Sequence, residues 1–130
     1  MIAVVCRDEG GRVLLVERSP SNLRFPGGLE PFVAGAVRAG ESYERAAQRE
    51  VLEELGLRVR ARPVDRFRNL DSPTPHWMGL YECRIPAASV VPDAREVAQV
   101  SWRSVAEVRR LFGAGALTPE SRAVLTRIAD

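Results

Sequence analysis

The sequence predicts an α+β fold in which a mixed β-sheet lies between helices. Three observations lead there. A hairpin signal opens the chain, with apolar runs on both sides of Asp8-Glu9-Gly10-Gly11. One long helical pattern, Ser42 to Leu55, sits near the middle. Short strand-like and helix-like segments then alternate to the C-terminus.

Taken in order, Ile2–Arg7 and Arg12–Glu17 read as the paired strands of the hairpin, and Ser19–Pro31, with its Pro, Gly and Asn, as a loop. Phe32–Val37 is short and apolar, a buried strand. Helix Ser42–Leu55 has Ser42 to cap it, Glu44 in its first turn and Gly56 where it stops. Leu57–Asn69 alternates apolar residues with arginines in places, as a strand with one wet face does. Trp77–Ile85 and Ala98–Trp102 read as further strands. Val105–Phe112 and Pro119–Ile128 read as helices, the first stopped by Gly113, the second capped by Thr118 with Pro119 at its first position.

With 130 residues, 45% apolar and 28% charged, residues 1–130 are expected to form one domain with a real core. No apolar run approaches the roughly 20 residues a membrane helix needs, and Met1–Cys6 lacks the basic lead-in of a signal peptide; a cytoplasmic protein is expected. Cys6 and Cys83 are expected to be buried free thiols, and one histidine, His76, argues against zinc. The net charge of +2 is too small to make nucleic-acid binding the main task. All nineteen basic residues are arginine, a side chain whose planar fork suits phosphate.

The stretch that carries chemistry is Gly35–Leu57, GAVRAGESYERAAQREVLEELGL. Glu50, Glu53 and Glu54 fall within an arc of roughly 100° on the long helix. Three carboxylates so close repel one another, so a cation is expected against them, and a hard divalent ion suits clustered carboxylate oxygens. Ala47, Val51 and Leu55 form an apolar stripe beside the acidic one, which would anchor that edge on the sheet. Gly35 and Gly40 allow the backbone to approach the ion. An acidic pair on a helix is ordinarily just a solvated face; here the spacing argues otherwise.

Gly35, Glu41, Arg49, Glu50, Val51, Glu53, Glu54, Gly56 and Leu57 fill every specified position of the pattern G-x5-E-x7-R-E-U-x-E-E-x-G-U, where U is bulky and aliphatic. At roughly one in ten per fixed residue and one in four per aliphatic, a chance match is on the order of 10⁻⁸ per starting point. The segment therefore resembles the Nudix box. The resemblance implies an α/β/α sandwich and hydrolysis of a phosphoanhydride in a nucleoside diphosphate linked to another group, or in a nucleoside di- or triphosphate, with Mg²⁺ or Mn²⁺. It implies Glu53 and Glu54 as metal ligands, Glu50 as ligand or base, the Gly35 carbonyl as a further ligand, Arg49 as the group orienting the carboxylates, and Glu41 in support. Glu96, before the last strand, is the candidate for a downstream ligand or base. Arg24, Arg38 and Arg68 are candidate phosphate clamps; Phe25, His76 and Trp77 are candidate base-stacking groups.

Ser19-Pro20, Phe25-Pro26 and Val33–Glu41 are similar to the branch containing isopentenyl-diphosphate isomerase. That enzyme places a cysteine before the box glycine and a histidine after it, where this chain has Ala34 and Ala36. Three readings follow: a metal-dependent hydrolase of a small phosphoanhydride, a non-catalytic Nudix-like nucleotide-binding module, and the isomerase. The resemblance also admits a homodimer; it gives no reason to expect a nucleic-acid or membrane partner.

Overall fold

A computed structural model describes residues 1–130. Strand β1 (Ile2–Arg7) is its axis. One edge of β1 is taken along its whole length by β6 (His76–Arg84), in parallel, from Ile2 opposite Gly79 to Arg7 opposite Arg84. Two partners share the other edge. β2 (Val13–Arg18) meets it only at the hairpin end, Arg7 opposite Val13, and β4 (Val33–Gly35) pairs antiparallel with Ile2–Val4. β2 thus splays from β1, and the chain returning through β3 (Leu29–Glu30) and β4 fills the wedge. β5 (Arg62–Asn69) lies outside β6, and β7 (Val97–Arg103) outside β2.

Alternation along β1 makes the layers. Ile2, Val4 and Cys6 point to α1 (Tyr43–Leu55) and pack with Ala46, Ala47, Val51 and Leu55. Ala3 and Val5 point the other way, to Val105 and Val108 of α2 (Val105–Gly113) and Ala123, Val124 and Leu125 of α3 (Ser121–Leu125). This is the expected mixed sheet between helices. No helix is long and apolar enough to cross a membrane.

The hairpin turn forms because the Asp8 carboxylate accepts from the N–H groups of Gly10 and Arg12 and from the Arg12 guanidinium. On α1, the Ser42 hydroxyl accepts from Arg45 N–H at 3.1 Å, and Gly56 closes the helix at φ 74°, a left-handed conformation that glycine adopts without a Cβ clash. Cys6 and Cys83 are free, with their Sγ atoms 3.5 Å apart.

Several boundaries move. Leu29–Glu30, expected as loop, is strand because it caps the wedge against β2. Phe32–Val37 shrinks to Val33–Gly35, since the stretch Ile2–Val4 is all that β1 offers it. Residues 57–61 do not pair, although Leu57, Val59 and Ala61 pack on the core. The last helix is shorter than expected, and Thr118 does not cap it: its hydroxyl donates to Glu30 at 2.9 Å.

Candidate active site

Gly35 ends β4 directly against α1. A Cβ on it would stand 2.1 Å from Oε1 and 2.2 Å from Cδ of Glu50, so the glycine is what lets the Glu50 carboxyl lie on the backbone. Glu54 stands one turn further along the same edge. Glu96 approaches both from the loop before β7, and one carboxylate oxygen from each of the three lies within 4.8 Å of the others. The loop is tied down at both ends. Asp93 N–H donates to the Glu54 carbonyl at 2.8 Å, and the Glu96 carbonyl accepts from Ser19 N–H and Asn22 Nδ2.

The electrostatics of the trio are unfavourable as it stands. Glu54 is buried, and its Oε2 has no hydrogen-bond partner. Burial first, then the charges of Glu50 and Glu96, push its carboxyl up to about 9. Burial also raises Glu50, opposed by its bond to Arg49. An orphaned buried carboxylate oxygen among three converging acids is the donor set a hard divalent ion takes, so these residues fit one.

Arg49 organises the other side of the edge. Its Nε and Nη2 clasp both oxygens of Glu41 at 2.8 and 2.9 Å, Nη1 donates to Glu50 at 2.9 Å and to Glu53 at 3.3 Å, and Nη2 also reaches the Ala36 carbonyl at 2.9 Å. That grip, with the Arg38 N–H, holds Glu41 down at about 2. It raises Arg49 itself.

The expected residues are therefore not all gathered. Glu53 departs from the trio: its neighbours are Arg49, one turn earlier, and Arg38 at 3.3 Å, and its side chain is 41% exposed. Sequence position alone hides this, because Glu53 and Glu54 are about 100° apart around the helix. Arg24 is not a free phosphate clamp. Its guanidinium is committed to Glu30 at 3.0 Å and Glu120 at 3.2 Å, both acids being almost fully buried. Arg38 is mostly exposed and held only by its contact to Glu53. Trp77 stands exposed on β6 opposite Arg68, and Phe25 has φ 43°, the one positive φ outside glycine. Near the start of β1, a cavity of about 430 Å³ is lined by Met1, Arg24, Ser72, Thr74, His76 and Glu120. Its Met1 precedes Ile2, which pairs with Gly35.

Sequence reasoning missed Arg18, Glu30 and Glu120. Glu30 binds Arg18 and Arg24 through one oxygen and Thr118 through the other, and Arg18 lies near enough to favour the charged form of Glu54. No local pattern in the sequence marks Glu30 and Glu120 as buried acids or Arg18 as a partner of Glu30.

Comparison with known proteins fits this geometry. The family model described as NUDIX domain matches residues 1–127. A Streptomyces coelicolor protein named as an uncharacterized Nudix hydrolase is 35% identical over 130 residues, covering 98% of this chain and 71% of its own length. A Methanosarcina mazei prenyl-diphosphate phosphatase is 32% identical, covering 96% of this chain and 76% of that protein. A Deinococcus radiodurans crystal structure superposes with a TM-score of 0.85 at 27% identity, covering 99% of this chain and 83% of the other.

Proposed function

This chain belongs to the Nudix hydrolase family and is a Nudix pyrophosphohydrolase, and from that premise we propose that Glu50, Glu54 and Glu96 hold a divalent cation, Mg²⁺ or Mn²⁺, at which a nucleoside diphosphate-linked substrate is hydrolysed. The observation that carries the proposal is the buried, unpartnered Oε2 of Glu54 facing two further carboxylates. A bound divalent ion supplies charge neutralisation at the phosphates and a more acidic water.

The rest is the work of the chain. Gly35 seats Glu50 and adds its carbonyl to the ligand candidates. Glu50 serves as ligand or, in place of that role, as general base: Arg49 holds its Oε1 and leaves Oε2 free, and burial raises its carboxyl against the pull of Arg49. Glu54 gives up its proton when the site loads. Arg49, fixed by Glu41, keeps Glu50 aligned and holds Glu53 as a reserve ligand at the rim. Arg38, held only by Glu53 at the rim of the box, reaches substrate phosphate. The cavity by Met1, His76 and Glu120 receives the group attached to the phosphates, with Phe25 and Trp77 the remaining stacking candidates.

The second reading is a prenyl diphosphate, the substrate class in the name of the Methanosarcina relative. The exposed lining of the cavity is mostly apolar, which suits a prenyl chain as well as a base. Isomerase chemistry is disfavoured by Ala34 and Ala36, and a pure binding module by an acidic box that is whole.

The deciding experiment is a panel of nucleoside di- and triphosphates, nucleotide sugars, dinucleoside polyphosphates and isoprenyl diphosphates, assayed for phosphate or pyrophosphate release with Mg²⁺ and with chelator. Chelator-sensitive release from a nucleotide is the expected result. Binding without turnover on every compound overturns the catalytic reading, and release from isoprenyl diphosphate alone replaces the substrate.

A further inference from the structure

We propose a second anion site, separate from the acidic edge: an arginine-lined cavity at the far end of β1 and β6 that takes a small phosphate-bearing di- or polyanion. The cavity holds about 620 Å³, a volume in the range of small-molecule sites. Its charged walls are Arg7, Arg60, Arg62 and Arg84 with Glu44 and Glu82. Four guanidiniums against two carboxylates leave two positive charges, as many as the net charge of the entire chain.

Those charges are only partly neutralised from within. Glu82 is divided between two arginines, with Arg7 Nε on one oxygen at 2.9 Å and Arg62 on the other. Arg7 is also anchored by the carbonyls of Gly11 and Ala129, and its side chain is only 8% exposed, so its charge is fixed in place. Arg84 reaches only the Asp8 carbonyl, at 3.3 Å. Neither Arg60 nor Arg84 has a carboxylate partner, which leaves their forks available at the rim. A buried, preorganised cation at the base with free planar forks above it suits phosphate oxygens. Ala61, Pro63, Cys83 and the arginine stems make about half of the lining apolar, which leaves room for a group carried on the phosphate.

The cavity is distinct from the trio of acids. None of its lining residues belongs to Glu50, Glu54 and Glu96. Glu44, its contribution from α1, precedes Glu50 by six positions, which sets it about 120° away round the helix, at the N-terminal end of the apolar stripe.

The site can be tested without turnover. Uniformly ¹⁵N-labelled protein in chelator would be titrated with inorganic pyrophosphate, AMP and malonate, following backbone amides. Without a divalent ion the acidic edge repels all three, so binding there does not compete. Saturable shifts confined to Ala61, Arg62, Cys83 and Arg84, with pyrophosphate and AMP but far weaker with malonate, are expected. The double variant Arg60→Gln/Arg84→Gln should keep its spectrum and its turnover on the nucleotide panel while binding roughly a hundredfold more weakly, about tenfold per lost fork. Shifts at Gly35 and Glu54 instead, shifts spread over arginines generally, equal binding of malonate, or an unaffected double variant would each overturn the assignment. Because the readout uses no catalysis, its failure leaves the hydrolase reading standing, and the reverse also holds.

Discussion

Replacing Glu54 by glutamine should make the metal-free protein more stable while destroying its activity, an opposite pair of effects that a merely structural glutamate would not give. In the folded chain the Glu54 carboxyl sits at about 9, raised by burial and by Glu50 and Glu96 from a reference of 4.5. The folded-state value lies above the unfolded one, so the sign is fixed. Below pH about 4.5 both states hold the proton and nothing is lost; as pH rises toward 9 the unfolded chain is relieved of a proton that the folded chain must keep. At pH 7.5 that amounts to roughly three pH units at 1.36 kcal/mol each, about 4 kcal/mol against folding. Glutamine has the same shape and no such penalty. In chelator at pH 7.5, Glu54→Gln should therefore melt on the order of 10 °C above wild type. The gap should close toward pH 4.5. With saturating Mg²⁺ the order should reverse, because the ion stabilises only the chain that can bind it. Differential scanning fluorimetry over pH 4.5–9, with chelator and with Mg²⁺, reads all of this. A variant that melts below wild type in chelator, or a gap that does not grow with pH, would refute the account of the site.

Other perturbations separate the parts of the edge. Gly35→Ala puts a methyl group 2.1 Å from Glu50 Oε1, so the carboxylate must swing away; turnover should fall about a hundredfold for a displacement near 1 Å, with a melting point within a few degrees of wild type, and activity within threefold would show that Glu50 is not where the chemistry happens. Arg49→Lys cannot span Glu41, Glu50, Glu53 and the Ala36 carbonyl at once; the Glu41 carboxyl should rise from about 2 toward 4.5 in a carbon-detected NMR titration while turnover drops. Glu30→Ala strands Arg18 and Arg24 beside a buried Glu120 and should cost about 3–5 kcal/mol in urea unfolding, yet leave the stabilisation by Mg²⁺ intact; loss of that Mg²⁺ response would place Glu30 in the metal site.

The parts of this molecule that sequence reveals are those where one local pattern suffices. Ser42, the Ala47–Val51–Leu55 stripe and Gly56 fix α1 without reference to anything else, and the spacing of Gly35, Arg49 and the glutamates carries the site with it. What stayed hidden depends on which strand finds which edge. The wedge between β1 and β2 creates the short strand at Leu29–Glu30, and that strand buries Glu30 under Thr118, 88 positions away. Arg24 looked like a phosphate ligand for the same reason: an arginine in a Pro/Gly-rich loop has no local sign that two acids wait for it. Glu96 could be guessed only from family resemblance; what brings it to Glu50 and Glu54 is a backbone bond from Asp93 to the last turns of α1.

One acidic edge thus carries carboxylates held in opposite conditions, and the difference explains how the fold tolerates them. Glu41, just ahead of α1, is clasped by Arg49 and stays ionised across the ordinary pH range. Glu54 has no cation within hydrogen-bonding reach and is kept neutral by its surroundings. An arginine placed where it could neutralise Glu54 would stabilise the chain but would fill the position proposed for a divalent ion. The apolar packing of Val51 and Leu55 against β1 and β6 holds α1 in place despite that unfavourable pairing. Stability is therefore given up at the point where the proposed ion would restore it, which is the trade expected of a site kept for function and not for the resting fold.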